Sequence, residues 1–253
     1  MPVSPFDLTG KVALITGGNT GIGQGIALAL ADAGASIVSV ARRASDETVG
    51  HCLAKGVHAV SVQADLGSME PIERILDEAT AGLGPVDILV NNAGIIRRAD
   101  AVDFTEADWD DVMNVNLKSV FFLSQATVRR MITDGRRGKI INTASMLSYQ
   151  GGIRVPSYTA SKSGVAGLTK LMANEWAKHG INANAIAPGY FATDNTQALQ
   201  DDPVRSKEIL GRIPAARWGQ PADIGGAAVF LASAASDYVQ GITLPVDGGW
   251  LAR

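Results

Sequence analysis

The sequence has little of what marks secreted, membrane-spanning or nucleic-acid-binding proteins. Its only cysteine is Cys52, so no disulfide can form within the chain and a reducing compartment, the cytoplasm, is expected. No apolar run is long enough to span a bilayer, and the opening residues MPVSPFDLTGK lack the basic and apolar stretches of a signal peptide. A net charge of −3 argues against a surface for nucleic acid or anionic membranes.

Histidine and tryptophan are also scarce, and neither indicates a binding site. The three histidines, His51, His58 and His179, lack the spacing of metal ligands, so no metal is expected. The four tryptophans are assigned to packing or to an interface: Trp109, Trp176, Trp218 and Trp250.

Short apolar stretches alternate with helical patterns along almost all of the 253 residues. This alternation predicts repeated βαβ units, and their right-handed crossovers favour an α/β fold of the doubly wound, Rossmann type, with helices on both faces of a parallel sheet. No linker or repeat divides the chain, so residues 1–253 are predicted to form one domain, with a polar lid at about 190–220. The predicted strands are 11–16, 36–40, 58–63, 87–92, 138–145, 182–188 and 241–249, and the longest helices are 106–132 and 157–178.

A glycine-rich turn, TGGNTGIG, joins the first predicted strand to the first predicted helix. Glycines at 17, 21 and 23 let the backbone turn tightly and approach a pyrophosphate, which then lies on the helix N-terminus. The sequence NNAG ends the fourth strand at the carboxyl edge, where such sheets bind ligands. The predicted dinucleotide contacts are Gly17, Asn19, Thr20, Gly21, Ile22, Gly23, Asp65, Leu66, Asn92, Ala93 and Gly94.

In folds of this type, the residue at the end of the second strand contacts the adenosine ribose of the bound dinucleotide. An acid there would bind a 2′-hydroxyl, whereas an arginine would favour a 2′-phosphate. Ala41 occupies the place of the acid, and Arg42 and Arg43 follow it, which favours NADP. The alternative is that Asp46 and Glu47 neutralise two solvated arginines.

Tyr158 and Lys162 lie four residues apart at the start of a predicted helix and therefore share one face. A free tyrosine, with a pKa of about 10, is a poor base at neutral pH. A lysine ammonium at ~4 Å, with an effective dielectric of ~20, contributes roughly 4 kcal/mol, or about three pKa units. The pKa of the Tyr158 phenol is therefore expected to lie near 7, where the group exchanges protons efficiently.

Taken in order, the motifs resemble those of the short-chain dehydrogenase/reductase family over essentially the whole chain. They are Thr16–Gly23, Asn91–Gly94, Asn116, Ser145, Tyr158–Lys162 and Pro188–Thr193. The resemblance implies that Tyr158 is the acid/base, that Lys162 also holds the nicotinamide ribose, and that Ser145 binds the reacting oxygen. It further implies that Asn116 interrupts its helix and orients a relay water, and that Phe191 and Thr193 contact the cofactor.

Longer stretches resemble the family's deoxy sugar acid dehydrogenases: 91–126, 144–164, 171–193 and 246–253. These enzymes transfer a hydride between a nicotinamide cofactor, by resemblance NAD, and a secondary alcohol or ketone of a 2-dehydro-3-deoxy-D-gluconate type of acid. Ser145, Ser148, Gln150 and Arg154 are the predicted substrate residues, with Arg154 on the carboxylate because its guanidinium is a fork-shaped donor. Arg97 and Arg98 are second candidates for the carboxylate, and Arg217 is assigned a structural role.

Two other functions remain open from the sequence. A 3-oxoacyl-carrier-protein reductase would need a basic docking face, which the pairs Arg129–Arg130 and Arg136–Arg137 could supply. A dinucleotide-sensing regulator could keep the fold but would not need the complete set of catalytic residues. The resemblance also implies a homotetramer whose two long helices form one interface.

Overall fold

Seven strands pair in parallel into one sheet in a computed structural model that describes residues 4–253. The strand order is β3-β2-β1-β4-β5-β6-β7. The strands are β1 Val12–Thr16, β2 Ser36–Ala41, β3 Ala59–Gln63, β4 Ile88–Asn91, β5 Gly138–Thr143, β6 Ile181–Pro188 and β7 Thr243–Val246. The doubly wound α/β fold predicted from the sequence is confirmed, and every predicted strand is present with ends that differ by a few residues.

Helices cover both faces of this sheet, and the side chains of the strands alternate between them. The helices are α1 Gly21–Asp32, α2 Asp46–Ala54, α3 Ile72–Leu83, α4 Glu106–Met113, α5 Ser119–Thr133, α6 Pro156–Trp176, α7 Gln197–Asp201, α8 Pro203–Arg212 and α9 Gly225–Ala232. In β1, Val12 and Leu14 pack in one core with α3, α5 and α6, whereas Ala13 and Ile15 pack in the other with α1 and α9.

The order of the strands locates the ligand-binding edge. From β1 the chain runs outward to β2 and β3 and then returns to β4 on the other side of β1. Such a reversal opens a crevice at the carboxyl ends of the two central strands. Thr16, the last residue of β1, fixes the loop after β4, because its hydroxyl oxygen accepts hydrogen bonds from the backbone N–H groups of Asn92 and Ala93.

The structure adds detail to one predicted helix and to the predicted lid segment. The helix expected at 106–132 is interrupted by a π-helical turn, Asn114–Lys118, between α4 and α5. The segment expected to be a polar lid at 190–220 contains α7 and α8, and it is not entirely outside the core. Ile209 and Ile213 are buried beside Met146 and Trp250, so part of this segment is anchored.

The described residues contain no helix with the length and apolar character that crossing a membrane requires.

Candidate active site

A cleft with a volume of ≈ 690 Å³ opens at the carboxyl ends of β1 and β4. Every residue that the sequence predicts to contact a dinucleotide lies on its wall. Ser145 lines the cleft together with Tyr158 and Lys162, so a residue just after β5 and two residues of α6 meet those of the glycine turn. The residues that share this wall are Gly17, Asn19, Thr20, Gly21, Ile22, Gly23, Arg42, Asp65, Leu66, Asn92, Ala93, Gly94, Phe191 and Thr193.

The glycine turn disfavours side chains at Gly17 through its backbone conformation and at Gly23 through lack of space. Gly17 has a φ of 66°, in the left-handed region that favours glycine. A Cβ on Gly23 would lie 2.0 Å from the carbonyl oxygen of Gly17, so any larger residue there would force the turn apart. Asn92 supports the turn from the loop after β4, since its Nδ2 donates to the carbonyl oxygens of Thr16 and Gly17.

The start of α1 fits the phosphates of a dinucleotide. The first backbone N–H groups of a helix have no partners within it, and they carry a partial positive charge. Thr20 precedes α1 in an extended conformation without a side-chain cap, and no acidic residue stands in the first turn. Unpaired N–H donors beside a bare glycine backbone are the donor set that a pyrophosphate requires.

Arg42 and Arg43 lie at the end of the cleft reached by β2, and both are exposed. Neither arginine forms an ion pair with Asp46, Glu47 or any other acid in residues 4–253, so the alternative in which those two acids neutralise them gains no support. Two guanidinium groups without an ion-pair partner fit a 2′-phosphate better than a 2′-hydroxyl.

Asn116 lies behind the cleft wall in the π-helical turn and is fully buried. Its Oδ1 accepts from the backbone N–H of Ile95 at 2.8 Å, and its Nδ2 donates to the carbonyl oxygen of the same residue at 2.9 Å. Asn116 therefore interrupts the helix, as predicted, and ties it to the loop after β4. Its role with a relay water stays a prediction.

Tyr158 and Lys162 share one face of α6, but the expected fall in the pKa of the phenol is wrong. The Nζ of Lys162 lies 5.7 Å from the ring centroid of Tyr158 and donates to the carbonyl oxygen of Thr143. Burial raises the pKa of Tyr158, while the Ser145 hydroxyl and the guanidinium of Arg98 act in the opposite direction. Burial also lowers the pKa of Lys162, from 10.5 to about 8.

The remaining predicted substrate residues lie beside the cleft rather than on its wall. The hydroxyl of Ser148 donates to the carbonyl oxygen of Lys162, and Oε1 of Gln150 accepts from Nε1 of Trp250. Arg154 has a φ of 63°, and its Nε lies 3.0 Å from Oδ1 of Asp100. Of the predicted set, only Ser145 faces the cleft.

Sequence reasoning gave Asp194, Asn195 and Thr196 no role, yet all three also line the cleft. Their place in the sequence could have indicated this, because they directly follow Thr193, a predicted cofactor contact. Arg97 lines the cleft as well, where it pairs with Asp108 and Asp111.

The structural role assigned to Arg217 fits its contacts. Two nitrogens of its guanidinium bind both carboxylate oxygens of Asp223, at 2.6 and 2.9 Å, and they help to hold the pKa of that carboxyl at about 2. Asp223 also accepts from the backbone N–H of Gln220 at the start of a helical turn.

The described residues contain no cluster of three or more histidine, cysteine or acidic side chains that could hold a metal ion. None of the four tryptophans lines the cleft.

The basic pairs that a carrier-protein reductase would need are largely neutralised. Arg130 pairs with Glu73 and Asp77, and Arg136 pairs with Asp87 and Asp134. A docking face for an acidic protein therefore finds little support here.

Comparison with known proteins agrees with the geometry of the cleft. Residues 11–204 match the family model described as short chain dehydrogenase. The chain is 62% identical over 253 residues to the 2-dehydro-3-deoxy-D-gluconate 5-dehydrogenase of Escherichia coli, with all of both chains covered.

Two solved structures match over almost their whole length. A proposed 2-deoxy-D-gluconate 3-dehydrogenase from Agrobacterium tumefaciens, with bound NADP, is 59% identical with a TM-score of 0.93, and 99% of this chain and 100% of that chain are covered. A gluconate 5-dehydrogenase from Burkholderia cenocepacia, in complex with NADP and tartrate, is 45% identical with a TM-score of 0.93, and 98% of each chain is covered.

Proposed function

Because the chain belongs to the short-chain dehydrogenase family, we propose that it is an NAD(P)-dependent oxidoreductase of a deoxy sugar acid. It transfers a hydride between the cofactor and a secondary alcohol or ketone of an acid of the 2-dehydro-3-deoxy-D-gluconate type. The observation that carries this proposal is the meeting of Ser145, Tyr158 and Lys162 on the wall that also holds the glycine turn. The 62% identity over the whole chain supports the choice of substrate.

Different residues of the cleft hold the adenine end and the nicotinamide end of a bound dinucleotide. The glycine turn and the start of α1 hold the pyrophosphate, and Asp65 and Leu66 hold the adenine. Lys162 and Thr193 hold the nicotinamide end, where the bound cofactor accepts or supplies the hydride.

Tyr158 exchanges a proton between its hydroxyl oxygen and the oxygen of the substrate. Ser145 donates a hydrogen bond to that same oxygen and stabilises the charge that develops on it. The guanidinium of Arg98 favours the phenolate, since it opposes the rise in the pKa of Tyr158 that burial causes.

We propose that NADP is the preferred cofactor, because Arg42 and Arg43 are unneutralised on the cleft wall. Binding measured by nucleotide fluorescence tests this independently of turnover. Arg42→Ala should weaken NADPH binding by about tenfold or more, the value of a charge-assisted contact, and leave NADH binding within about twofold. Equal losses for the two nucleotides would contradict the assignment.

The sequence-based proposal that Arg154 binds the substrate carboxylate has no observation that tests it. Arg154→Ala should raise the Michaelis constant for the sugar acid if the contact is direct, and an unchanged constant would exclude the contact. Arg98, the second candidate for the carboxylate, has more support. Its charge acts on Tyr158, and its NH2 lies 3.2 Å from the carbonyl oxygen of Asn195, which lines the cleft.

A cytoplasmic homotetramer is also proposed. The single, buried cysteine suits a reducing compartment, and apolar side chains stand partly exposed on the helices expected to form the interface: Trp109 on α4, Phe122 and Ile132 on α5, and Leu171 on α6.

The function is tested by comparing initial rates with 2-dehydro-3-deoxy-D-gluconate and with an acetoacetyl thioester, each with NAD and NADP. We expect turnover of the sugar acid only. Turnover of the thioester alone would support the carrier-protein reductase, and nucleotide binding without turnover of any alcohol would support a regulator.

A further inference from the structure

Residues 217–223 form a turn that leads into α9, and we refer to it as the 217 turn. One ion pair joins its two ends, because two nitrogens of the Arg217 guanidinium bind both carboxylate oxygens of Asp223, at 2.6 and 2.9 Å. Asp223 also accepts from the backbone N–H of Gln220 at 2.7 Å, and the guanidinium donates to the carbonyl oxygen of Trp218 at 3.1 Å. The turn is therefore closed by a two-pronged pair, the geometry in which an exposed ion pair is most effective.

The middle of the 217 turn is paired with the segment that ends at Thr193. The carbonyl oxygen of Gly219 accepts from the backbone N–H of Ala192 at 2.8 Å, and the N–H of Gly219 donates to the carbonyl oxygen of Tyr190 at 2.9 Å. The two stretches thus form a parallel bridge between Phe191 and Gly219. A Cβ on Gly219 would lie 3.1 Å from the ring of Phe191, so the glycine permits this close approach. Phe191 and Thr193 both line the cleft, and the 217 turn fixes the backbone that carries them.

The second half of the 217 turn lies against α1. A Cβ on Gly25 would lie 2.2 Å from the carbonyl oxygen of Pro221, so the helix and the turn touch through their backbones. Pro221 lines the cleft together with the glycine turn. Thr193 approaches the same helix start, since a Cβ on Gly21 would lie 3.3 Å from its methyl group. The 217 turn therefore connects α1 with residues 190–193, two separate parts of the cleft wall.

These two parts of the wall hold different portions of the dinucleotide in the proposed function. The start of α1 holds the pyrophosphate, and Thr193 holds the nicotinamide end. A ligand that spans both parts binds most tightly when their spacing is already correct in the free protein, because ordering on binding reduces affinity. The adenosine half of the ligand requires no contact with Thr193, so its binding does not depend on that spacing.

We propose that Arg217 and Asp223 are positioning residues for the dinucleotide, which close the 217 turn and so fix the spacing between α1 and residues 190–193. This inference rests on the proposed function in placing a dinucleotide in the cleft. Neither Arg217 nor Asp223 lines the cleft, so their effect on the ligand passes through Gly219 and Pro221.

Calorimetric titration with whole and half nucleotides tests the proposal without requiring turnover. Asp223→Asn keeps an acceptor for the N–H of Gln220 but loses the charge, and Arg217→Gln removes the guanidinium. Each variant should raise the Kd of both NADPH and NADH about three- to tenfold, the usual size of coupling between separated sites. The Kd of adenosine 2′,5′-bisphosphate, which lacks the nicotinamide end, should stay within about twofold of the wild-type value.

Three further variants separate positioning from a general disturbance of the fold. Arg217→Gln combined with Asp223→Asn should weaken NADPH binding no further than the more affected single variant, because the two side chains act as one pair. Arg217→Lys keeps the charge but replaces the fork with a single ammonium, and it should give an intermediate Kd. Glu78→Gln, which breaks a comparably exposed pair with Arg74 on α3, is the matched control and should leave the Kd of every nucleotide unchanged.

The pattern of Kd values decides the proposal. A Kd for NADPH within twofold of the wild-type value in both single variants would overturn it. An equal loss for NADPH and for adenosine 2′,5′-bisphosphate would also overturn it, because it would show a disturbance of the whole cleft. At saturating NADPH, kcat should stay within about twofold, since the bound nucleotide then holds both parts of the wall. Absence of sugar acid turnover in the wild-type protein would count against the proposed function, whereas the nucleotide titrations would still decide this inference.

Discussion

At the scale of single residues, burial outweighs charge in the candidate active site. Tyr158 and Lys162 both lie in the cleft wall, and burial raises the pKa of the phenol and lowers that of the ammonium. The ammonium does not offset this by contact with the phenol, because it is bound to the carbonyl oxygen of Thr143. Lys162 is therefore a side chain whose burial lowers the stability of the fold, as residues of active sites often do.

Lys162→Met should stabilise the protein while it abolishes turnover. With a pKa of about 8 in the fold against 10.5 in the unfolded chain, Lys162 costs up to about 3 kcal/mol below pH 8. Between those values the unfolded chain binds the proton and the fold does not, so the stability of the wild-type protein rises with pH there. The gain from the substitution should thus be largest below pH 8 and vanish as pH passes 10.5.

Denaturant unfolding of both proteins across this pH range checks the prediction. Lys170→Met on the same helix, whose lysine is exposed, is the control and should change stability by less than about 0.5 kcal/mol. A Lys162→Met protein that is less stable than the wild type at neutral pH would contradict it.

The identities of the residues at the cleft were predictable, but their ionisation was not. The spacing of Tyr158 and Lys162 within one turn of a helix follows from the sequence alone. The direction in which the pKa values of Tyr158 and Lys162 shift depends on how deeply each group is buried and on which carbonyl oxygen the ammonium binds. Those features arise from β5 and its neighbours, and no local pattern contains them.

At the scale of elements, the glycine turn is the part of the cleft least tolerant of change. Gly23→Ala would place a Cβ 2.0 Å from the carbonyl oxygen of Gly17, so the turn must open. We expect the Kd for dinucleotide to rise roughly 100-fold and the free energy of unfolding to fall by about 2 kcal/mol.

Calorimetric titration and denaturant unfolding measure these two effects. Gly50→Ala in α2 is the control, because that glycine is exposed and no atom beyond its own stretch of helix backbone lies within 4 Å of the added Cβ. It should leave binding unchanged and stabilise the fold by up to about 1 kcal/mol. Unchanged dinucleotide binding in Gly23→Ala would show that the phosphates lie elsewhere.

Elements with strong patterns were predictable, and those built by long-range contacts were not. Strands such as β1 are continuous apolar runs, which identifies them as buried strands of a parallel sheet. Helices α7 and α8 have mostly polar sequences; within them only Ile209 is fully buried, and Leu199 packs partly buried against the same cluster. The π-helical turn at Asn116 depends on Ile95, 21 residues earlier in the chain.

At the scale of the whole molecule, the strand reversal beside β1 explains why one cleft gathers residues from distant parts of the chain. The turn after β1, the loop after β4 and the start of α6 converge at the carboxyl edge because all their strands are parallel. The sequence predicted this convergence. The oligomeric state was less predictable from the sequence, because an apolar helix face packs equally well in the core of one subunit or in an interface between subunits.

Light scattering should give a mass near four times 26.3 kDa for the wild-type protein. Phe122→Glu on α5 should shift the assembly to smaller species, because it places a charge on a partly exposed apolar face. Val204→Glu on α8, where the valine is more exposed, should leave the mass unchanged. A wild-type monomer would contradict the proposed tetramer.

The most direct test of the account is the initial rate with 2-dehydro-3-deoxy-D-gluconate and NADP in the wild type and in Tyr158→Phe, with nucleotide binding measured in both. We predict that the variant loses turnover by about 1,000-fold and retains nucleotide binding within about threefold, because only the proton-exchanging hydroxyl has been removed. Turnover that survives the substitution would contradict the role of Tyr158, and a wild-type protein that binds nucleotide without oxidising the sugar acid would contradict the proposed substrate.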